Sequence, residues 1–441
     1  MIQKMFIANR SEIAVRIIRS CREMGIKTVA VYSSADKECL HVKLADQAVC
    51  IGPAPSAKSY LNKEALITAA LCTGCDAVHP GVGFLSENAD FAREVIKAGM
   101  LWIGPEPDTI EMLGDKVRAR ETAEKSGLPI TPGSKGAIKN AAQAAETAKK
   151  CGYPVIIKAA SGGGGKGMRV VWKEEDLAEN FTIASSEALA NFADGTVYIE
   201  KYLCDPRHVE LQIVGDGKGG VAVLGERDCS VQRNHQKLIE ESPSPAVTEE
   251  MRGAMCKGAQ KLFSSLKYCG AGTIEFLVSG KDFYFMEVNA RIQVEHPVSE
   301  MITGTDIIRE QINVCTGGKM NFPSGILPVK GWAIEARINA RTPGLIKKLH
   351  VPGGNGIRFD SFLYQGYTVV PFYDSMTAKL IVHDENRKLA IKKLLCALDE
   401  LQIEGIQTNI EEQKFILNSS QFQSGTFGTG LYEQLFNTGE K

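Results

Sequence analysis

Two stretches of the chain carry more chemistry than their surroundings. The first is Thr273-Ile274-Glu275-Phe276-Leu277-Val278, which runs through Ser279-Gly280-Lys281-Asp282 into Phe283-Tyr284-Phe285-Met286-Glu287-Val288-Asn289-Ala290-Arg291-Ile292-Gln293-Val294-Glu295. Side chains alternate faces along an extended chain. Read as one strand, residues 284–295 put Tyr284, Met286, Val288, Ala290, Ile292 and Val294 on an apolar face. Glu287, Asn289, Arg291, Gln293 and Glu295 then form one polar row. A hairpin through 279–282 places Glu275 opposite Glu287. Like charges in direct cross-strand register destabilise a sheet, so this pair, with Asn289, asks for a hard cation held by oxygen ligands. Magnesium bridging nucleotide phosphates suits the set, because it takes few protein carboxylates and completes its shell with phosphate oxygens. A solvated face with incidental acids accounts less well for an unbroken row of Glu, Asn, Arg and Gln.

The second stretch is Val155-Ile156-Ile157-Lys158-Ala159-Ala160, a β-branched strand leading into Ser161-Gly162-Gly163-Gly164-Gly165-Lys166-Gly167 and then Met168-Arg169-Val170-Val171-Trp172. Glycines let backbone amides approach phosphate oxygens with no Cβ in the way, and the lysines add compact positive charge. Gly162, Gly164 and Gly167 satisfy the dinucleotide spacing, but that fingerprint must open a helix and here a strand follows. A phosphate-binding Walker loop needs Ser or Thr after its lysine, whereas Gly167 follows Lys166. A glycine hairpin closing over a nucleotide remains.

The elements that must position these groups follow from periodicity. Strand signals at Lys4–Ala8, Thr28–Tyr32, Ala48–Ile51, Asp76–His79 and Leu101–Ile103 alternate with helices, the first carrying Ile13, Ile17, Cys21 and Met24 at helical spacing before Gly25. This pattern predicts an α/β, doubly wound parallel sheet. A shift to Pro, Thr and Gly over 129–133 predicts a hinge into a small αβ lid at about 133–203. Residues 204–330 read as strand-rich with one helix at Glu249–Leu266. The last hundred form a mixed αβ, α+β-like unit with strands at Ala333–Asn339, Tyr367–Phe372 and Ala378–Val382. A helix at Asn386–Leu401 follows, striped by Leu389, Leu394, Leu398 and Leu401. The expected domains are 1–114, 115–330 and 331–441, in keeping with a length of 441 residues.

Bulk properties exclude several function classes. Lys plus Arg is 51 and Asp plus Glu is 52, so the net charge of −1 provides no footprint for nucleic acid or an anionic membrane. No apolar run approaches the roughly 20 residues that span a bilayer, and the start lacks a signal peptide, so a cytoplasmic location is expected. The 12 cysteines, among them Cys21, Cys50, Cys256 and Cys396, read as reduced, buried thiols. Cys72 and Cys75 form a single C-x-x-C without a second pair, which points to packing rather than zinc.

Further motifs complete a recognisable set: His79-Pro80-Gly81-Val82-Gly83-Phe84-Leu85-Ser86-Glu87-Asn88, Gly114-Asp115-Lys116, Glu200-Lys201-Tyr202-Leu203, Glu226-Arg227-Asp228-Cys229-Ser230 and Ala333-Ile334-Glu335-Ala336-Arg337-Ile338-Asn339-Ala340. With the glycine loop and the 287–295 stretch, these make the chain resemble biotin carboxylase, an ATP-grasp ligase, over essentially its whole length. The resemblance implies a fold with an N-terminal biotin carboxylase α/β domain, a central ATP-grasp domain and a C-terminal biotin carboxylase domain. It implies ATP-dependent carboxylation of biotin by bicarbonate through carboxyphosphate, with Mg2+ or Mn2+. Lys116, Lys158, Gly164 and Gly165 would hold nucleotide phosphates. Glu200, Lys201, Tyr202, Leu203 and Leu277 would line the base pocket, with His208, Gln232 and His235 around ribose and base. Glu275, Glu287 and Asn289 would take the metal. Lys237, Arg291, Gln293, Val294 and Glu295 would bind bicarbonate, Glu295 acting as general base, and Arg337 would face the biotin enolate. No Met-Lys-Met context for a biotinylated lysine occurs. The expected partners are therefore a separate biotin carboxyl carrier protein, a separate carboxyltransferase and a second copy of the chain in a homodimer, in a pathway most like acetyl-CoA carboxylation in fatty acid biosynthesis.

Some positions depart from the family pattern. Val82 replaces a usual aromatic residue, Ser11 a common glycine, and Trp332 and Arg341 a usual His and acid. Cys229 and Glu87 are expected to play supporting roles, and His41 and His296 to be satisfied surface or loop histidines. The rival readings are another ATP-grasp carboxylate ligase and a nucleotide-sensing protein without turnover. The row of Arg291, Gln293 and Glu295, with Arg337, disfavours the first, and the presence of all the expected catalytic groups disfavours the second.

Overall fold

The computed structural model describes residues 2–134, 136–159, 168–192 and 194–436. Strands β1 (Lys4–Ile7), β2 (Lys27–Ser33), β3 (Gln47–Gly52), β4 (Ala77–His79) and β5 (Leu101–Trp102) form a parallel sheet in the order β3-β2-β1-β4-β5. The chain winds outward in both directions from β1, so β1 and β4 flank the switch point where open α/β sheets bind ligands. Asn9, just past β1, donates through Nδ2 to the carbonyls of Pro80 (2.7 Å) and Val82 (2.8 Å), joining the two loops. A Cβ on Gly81 would come 2.8 Å from that Nδ2, and its φ of +65° also favours glycine.

Helix Ser11–Glu23 follows β1 and is buried nearly all round, Glu12 and Arg16 included. Its apolar side meets the parallel sheet, while Glu12 pairs with Lys379 of the C-terminal region and Arg16 with Glu300 and Asp306 of the middle one. Ser11 begins it at φ +54°, a left-handed conformation that favours glycine. Ser11→Gly is therefore expected to stabilise the protein by roughly 1 kcal/mol, seen as a higher urea midpoint with unchanged slope.

The lid is a small unit: β6 (Val155–Ala159), β7 (Met168–Val171) and β8 (Val197–Lys201) pair antiparallel in the order β7-β6-β8. Helices Ala141–Cys151 and Leu177–Phe192 pack with them around Val155, Ile157, Val171, Val197 and Ile199. The 129–134 segment is stitched to both sides. Phe285 N donates to Pro129 O, while Lys201 N donates to Pro132 O and Ser134 N to Ile199 O, each at 2.8 Å.

A long sheet runs on through β9 (Arg207–Asp216), β10 (Val221–Arg233), β11 (Gln236–Ser242), β12 (Cys269–Ser279), β13 (Asp282–Asn289), β14 (Gly325–Ile326), β15 (Trp332–Asn339), β18 (Ile357–Ser361) and β20 (Met376–Asp384). Its order is β13-β12-β9-β10-β11-β15-β20-β18, with β14 beside β10. Short ribbons pair β16 (Gly344–Leu345) with β19 (Thr368–Val369) and β17 (Lys348–His350) with β21 (Gln402–Glu404). Hydrogen bonding between β11 and β15 carries the sheet without a break past residue 330.

Several expectations need correction. The strand at Tyr367–Phe372 contracts to Thr368–Val369. Leu389 is 39% exposed, and helix Arg387–Glu400 packs instead through Ala390, Ile391, Leu394, Ala397 and Leu398. Cys21 and Cys256 are buried, but Cys50, Cys72 and Cys396 are exposed. His41 and His296 are fully buried rather than at the surface. Each ring bonds a backbone carbonyl, His41 that of Val31 at 3.0 Å and His296 that of Gln293 at 2.8 Å. Among the described residues no helix is long and apolar enough to cross a membrane.

Candidate active site

The β12–β13 hairpin sets Glu275 directly opposite Glu287, and Thr273 opposite Asn289. Pairing skips Met286, because Glu275 meets Glu287 while the next residue, Phe276, meets Phe285. This one-residue bulge turns Phe285 into the core (4% exposed) while Glu287 stays on the site face. Met286 is correspondingly only half-buried instead of lying on the expected apolar face.

β13 ends at Asn289, so the polar row does not continue as a strand to Glu295. The physical reason lies in the first domain. Ala290 N donates to Glu87 Oε1 at 3.0 Å, which takes it out of the ladder, and Arg291 Nε reaches Glu87 Oε2 at 2.8 Å. Glu87 thus carries the loop after β4 onto the 290–295 segment. Arg291 also donates to Asn289 Oδ1 (3.0 Å) and Gln293 Oε1 (3.2 Å). Glu295 is the residue preceding helix His296–Thr303 and is fully buried.

The centre of the site is a charge network. Lys237 Nζ, on β11, lies 2.7 Å from Glu210 Oε2 and 3.5 Å from Glu275 Oε1, and contacts Glu295 Oε1. The other Glu295 oxygen is 3.1 Å from Arg337 Nη2, and Arg337 Nε lies 2.6 Å from Glu240 Oε1. Beneath it Arg227, wholly buried, bonds Glu210 Oε1 at 2.6 Å and Ser299 Oγ at 3.0 Å. Burial by itself would raise Glu295, but Lys237, Arg337 and Arg227 outweigh it and hold this carboxyl well below the usual range. The same contest, won by Lys237 and His208, leaves Glu275 depressed as well. His208 Nε2 shares a hydrogen bond of 2.8 Å with Glu275 Oε2, and Glu275 Oε1 accepts from Asn289 (2.8 Å) and Gln293 (3.0 Å). His208 is raised because Glu275 overcomes its burial.

Glu287 behaves differently. Burial and the facing Glu275 push its carboxyl up, against the pull of Lys116. Among the described residues it makes no hydrogen bond or ion pair. It lines a cavity of about 190 Å³ with Glu87, Lys116 and Asn289. An unpartnered carboxylate raised by its neighbour, with oxygen donors beside it, fits a hard divalent cation.

At the lid base, Lys158 Nζ lies 2.6 Å from Glu200 Oε2, and Arg120 contacts the other oxygen. Burial, Lys116 and Arg120 lower Lys158 to about 8. The Lys201 side chain bonds the carbonyls of Gly152 (3.0 Å) and Tyr153 (2.8 Å), so its amine is already engaged. Tyr202 packs edge-on with Trp172, their ring centroids 5.8 Å apart. Leu277 is half-buried and shares the site face with Glu275. Gln232 approaches His208 Nδ1 at 3.4 Å, while His235 sits exposed in the β10–β11 turn at φ +63°. Gly164 and Gly165 lie outside the described residues. Cys229 is buried with Sγ 3.9 Å from Glu295 Oε1. Trp332 Nε1 donates to Glu241 Oε2 (2.8 Å), and Arg341 pairs with Glu412 (2.8 Å). Sequence reasoning passed over Arg120, Glu210 and Glu240. Glu210 was signalled by the alternating polar row His208, Glu210 and Gln212 of β9; Glu240, beside Glu241 in β11, had no such row.

Known proteins match the chain over nearly its whole length. Residues 1–110 match the family model for the biotin carboxylase N-terminal domain, 115–322 that for the carbamoyl-phosphate synthase L chain ATP binding domain, and 335–434 that for the biotin carboxylase C-terminal domain. A biotin carboxylase of Haemophilus influenzae is 52% identical, over 98% of this chain and 98% of its own. One of the pyruvate carboxylase subunits of Methanothermobacter thermautotrophicus is 46% identical, over 98% of this chain and 90% of its own. A crystal structure of a biotin carboxylase beta-gamma-ATP complex from Campylobacter jejuni superposes with a TM-score of 0.94 at 45% identity, covering 98% of this chain and 99% of that one. The biotin carboxylase domain dimer of Hydrogenobacter thermophilus 2-oxoglutarate carboxylase, solved with MgADP and bicarbonate, has a TM-score of 0.93 at 42% identity, both chains covered fully (100%). The three matched segments in order, with full-length identity of 52%, mean that this chain belongs to the biotin carboxylase family of ATP-grasp ligases.

Proposed function

We propose that the chain carboxylates biotin borne on a separate carrier protein, using ATP and bicarbonate, and that the observation carrying this reading is Glu295 held between Lys237 and Arg337. Bicarbonate is a weak, charged nucleophile. Arg291 and Lys237 offset its charge, Gln293 and the Val294 backbone orient it, and Glu295 takes its proton as it attacks the terminal phosphate. Glu275, Glu287 and Asn289 would hold Mg2+ or Mn2+, which when bound neutralises the γ-phosphate charge. Lys116 and Lys158 hold the phosphates from the protein side, and lid closure keeps water from carboxyphosphate. That intermediate releases carbon dioxide and phosphate, and the phosphate deprotonates the biotin ureido nitrogen while Arg337 faces the oxygen that becomes negative.

Phosphate release from ATP, with and without bicarbonate and free biotin, tests the reading. Release that needs bicarbonate and rises with biotin is expected; equal rates in every condition would remove the carboxylase assignment. We further infer that the acceptor downstream is acetyl-CoA, in fatty acid biosynthesis and in the cytoplasm. Relatives named biotin carboxylase reach 52% and 51% identity, against 46% for the pyruvate carboxylase relative. Capture of the biotinylated carrier, then assay with acetyl-CoA, pyruvate and 2-oxoglutarate, decides the acceptor. A homodimer is the proposed assembly, supported by the Hydrogenobacter relative, whose biotin carboxylase domain was solved as a dimer.

Lys158 yields a separate prediction. With its amine lowered to about 8, it is partly neutral at pH 8.5, and an arriving triphosphate favours the charged form. Nucleotide binding at pH 8.5 should take up a fraction of a proton. Calorimetry in buffers of different ionisation enthalpy measures this uptake, and Lys158→Met should abolish it.

A further inference from the structure

A second cation stands beside the network and has no part in the chemistry above. Lys379 on β20 is fully buried, and its register partner on β15 is Arg337. Two cations directly opposite one another on adjacent strands repel, and burial aggravates the cost. Each is answered by acids. Arg337 has Glu240 and Glu295, while Lys379 has Glu12 Oε2 at 3.1 Å. Lys379 Nζ also donates to the backbone carbonyl of Val294 at 2.8 Å. The two opposed cations thus grip consecutive residues: Lys379 holds the Val294 carbonyl and Arg337 the Glu295 side chain. Fixing the Val294 oxygen fixes the plane of the peptide that joins Val294 to Glu295, and with it the direction in which the Glu295 side chain leaves the backbone. Glu12 belongs to helix Ser11–Glu23, which follows the first strand of the N-terminal sheet. The link therefore runs from the N-terminal domain, through Lys379, to the proposed base.

We propose that Lys379 is a positioning residue for the reaction. It sets the Val294–Glu295 peptide for bicarbonate without touching substrate, and Glu12 holds it in place. The proposal rests on the bicarbonate reading given above, so wild type is assayed first. If wild-type ATP hydrolysis shows no dependence on bicarbonate, the functional reading fails and not this one.

The test compares Lys379→Met, Lys379→Arg and the charge-neutral double variant Lys379→Met/Glu12→Gln. Both variants that remove the amine should raise the KM for bicarbonate at least tenfold, leave the KM for ATP within twofold and lower kcat less than they raise the bicarbonate KM. Lys379→Arg, which keeps a donor and a charge, should recover part of the loss. The double variant removes both charges together, so it should fold with a thermal midpoint close to wild type even if the single variant does not. A double variant with wild-type bicarbonate KM would overturn the proposal. Equal losses in the KM for ATP and for bicarbonate would overturn it too, since they would mark a general packing defect. Failure of the double variant to fold would assign the pair to stability and refute the positioning role.

Discussion

Glu295→Gln is expected to lower kcat for biotin carboxylation by about 10²–10⁴-fold, the usual worth of a positioned general base. The KM for ATP should change little, because the partners of Glu295 are Lys237 and Arg337, not the phosphate-side groups Lys116 and Lys158. The substitution keeps the shape of the side chain while removing the charge that Lys237 and Arg337 share. Loss of kcat with the fold retained separates chemistry from structure, and circular dichroism of the variant supplies that control. The resting carboxylate is held well below the usual range and remains ionised across the physiological span. Any fall in wild-type activity between pH 8 and 6 should therefore not trace to protonation of Glu295, and the same fall should survive in residual Glu295→Gln turnover.

Lys237→Met is expected to have the largest effect on stability, about 3–5 kcal/mol, the cost of leaving buried charges without their partner. The lysine lies within 3.5 Å of Glu210, Glu275 and Glu295, and its side chain is 13% exposed. Pairing with it helps keep Glu275 and Glu295 depressed. A carboxylate depressed in the folded state contributes stability above its unfolded pKa of about 4.3, and loses it as pH falls through the folded value. Without Lys237 that contribution shrinks and these acids titrate higher, so the gap between wild type and variant should narrow as pH falls from 7 to 5. Urea unfolding at both values measures the gap. A gap of constant size would show that the ion pairs are not its source.

The hairpin register was legible because Thr273–Val278 and Phe283–Asn289 alternate cleanly around a four-residue connection rich in turn formers. The bulge at Met286 was not, since Phe285 and Met286 are both apolar and an extra residue leaves the pattern looking regular. The end of β13 at Asn289 was hidden for a different reason. The group that takes the next amide out of the ladder is Glu87, 203 residues away, and local periodicity carries no trace of it. Parallel strands in the first hundred residues were plain from their apolar runs. Burial of His296 and His41 was not, because it depends on packing against distant charged and apolar groups rather than on neighbours in the chain. The alternation of His208, Glu210 and Gln212 along β9 did signal Glu210, and such a row warrants the same reading as the row at Glu287, whereas Glu240 stands beside Glu241 in β11 with no alternating polar row to mark it.

A crystal structure determined with MgADP and bicarbonate tests the shared-cation site most directly. The expected result is one metal ion touching both Glu275 and Glu287 beneath the phosphates, with bicarbonate against Arg291, Gln293 and Glu295. Glutamates turned away from one another, or a nucleotide lodged elsewhere, would contradict it.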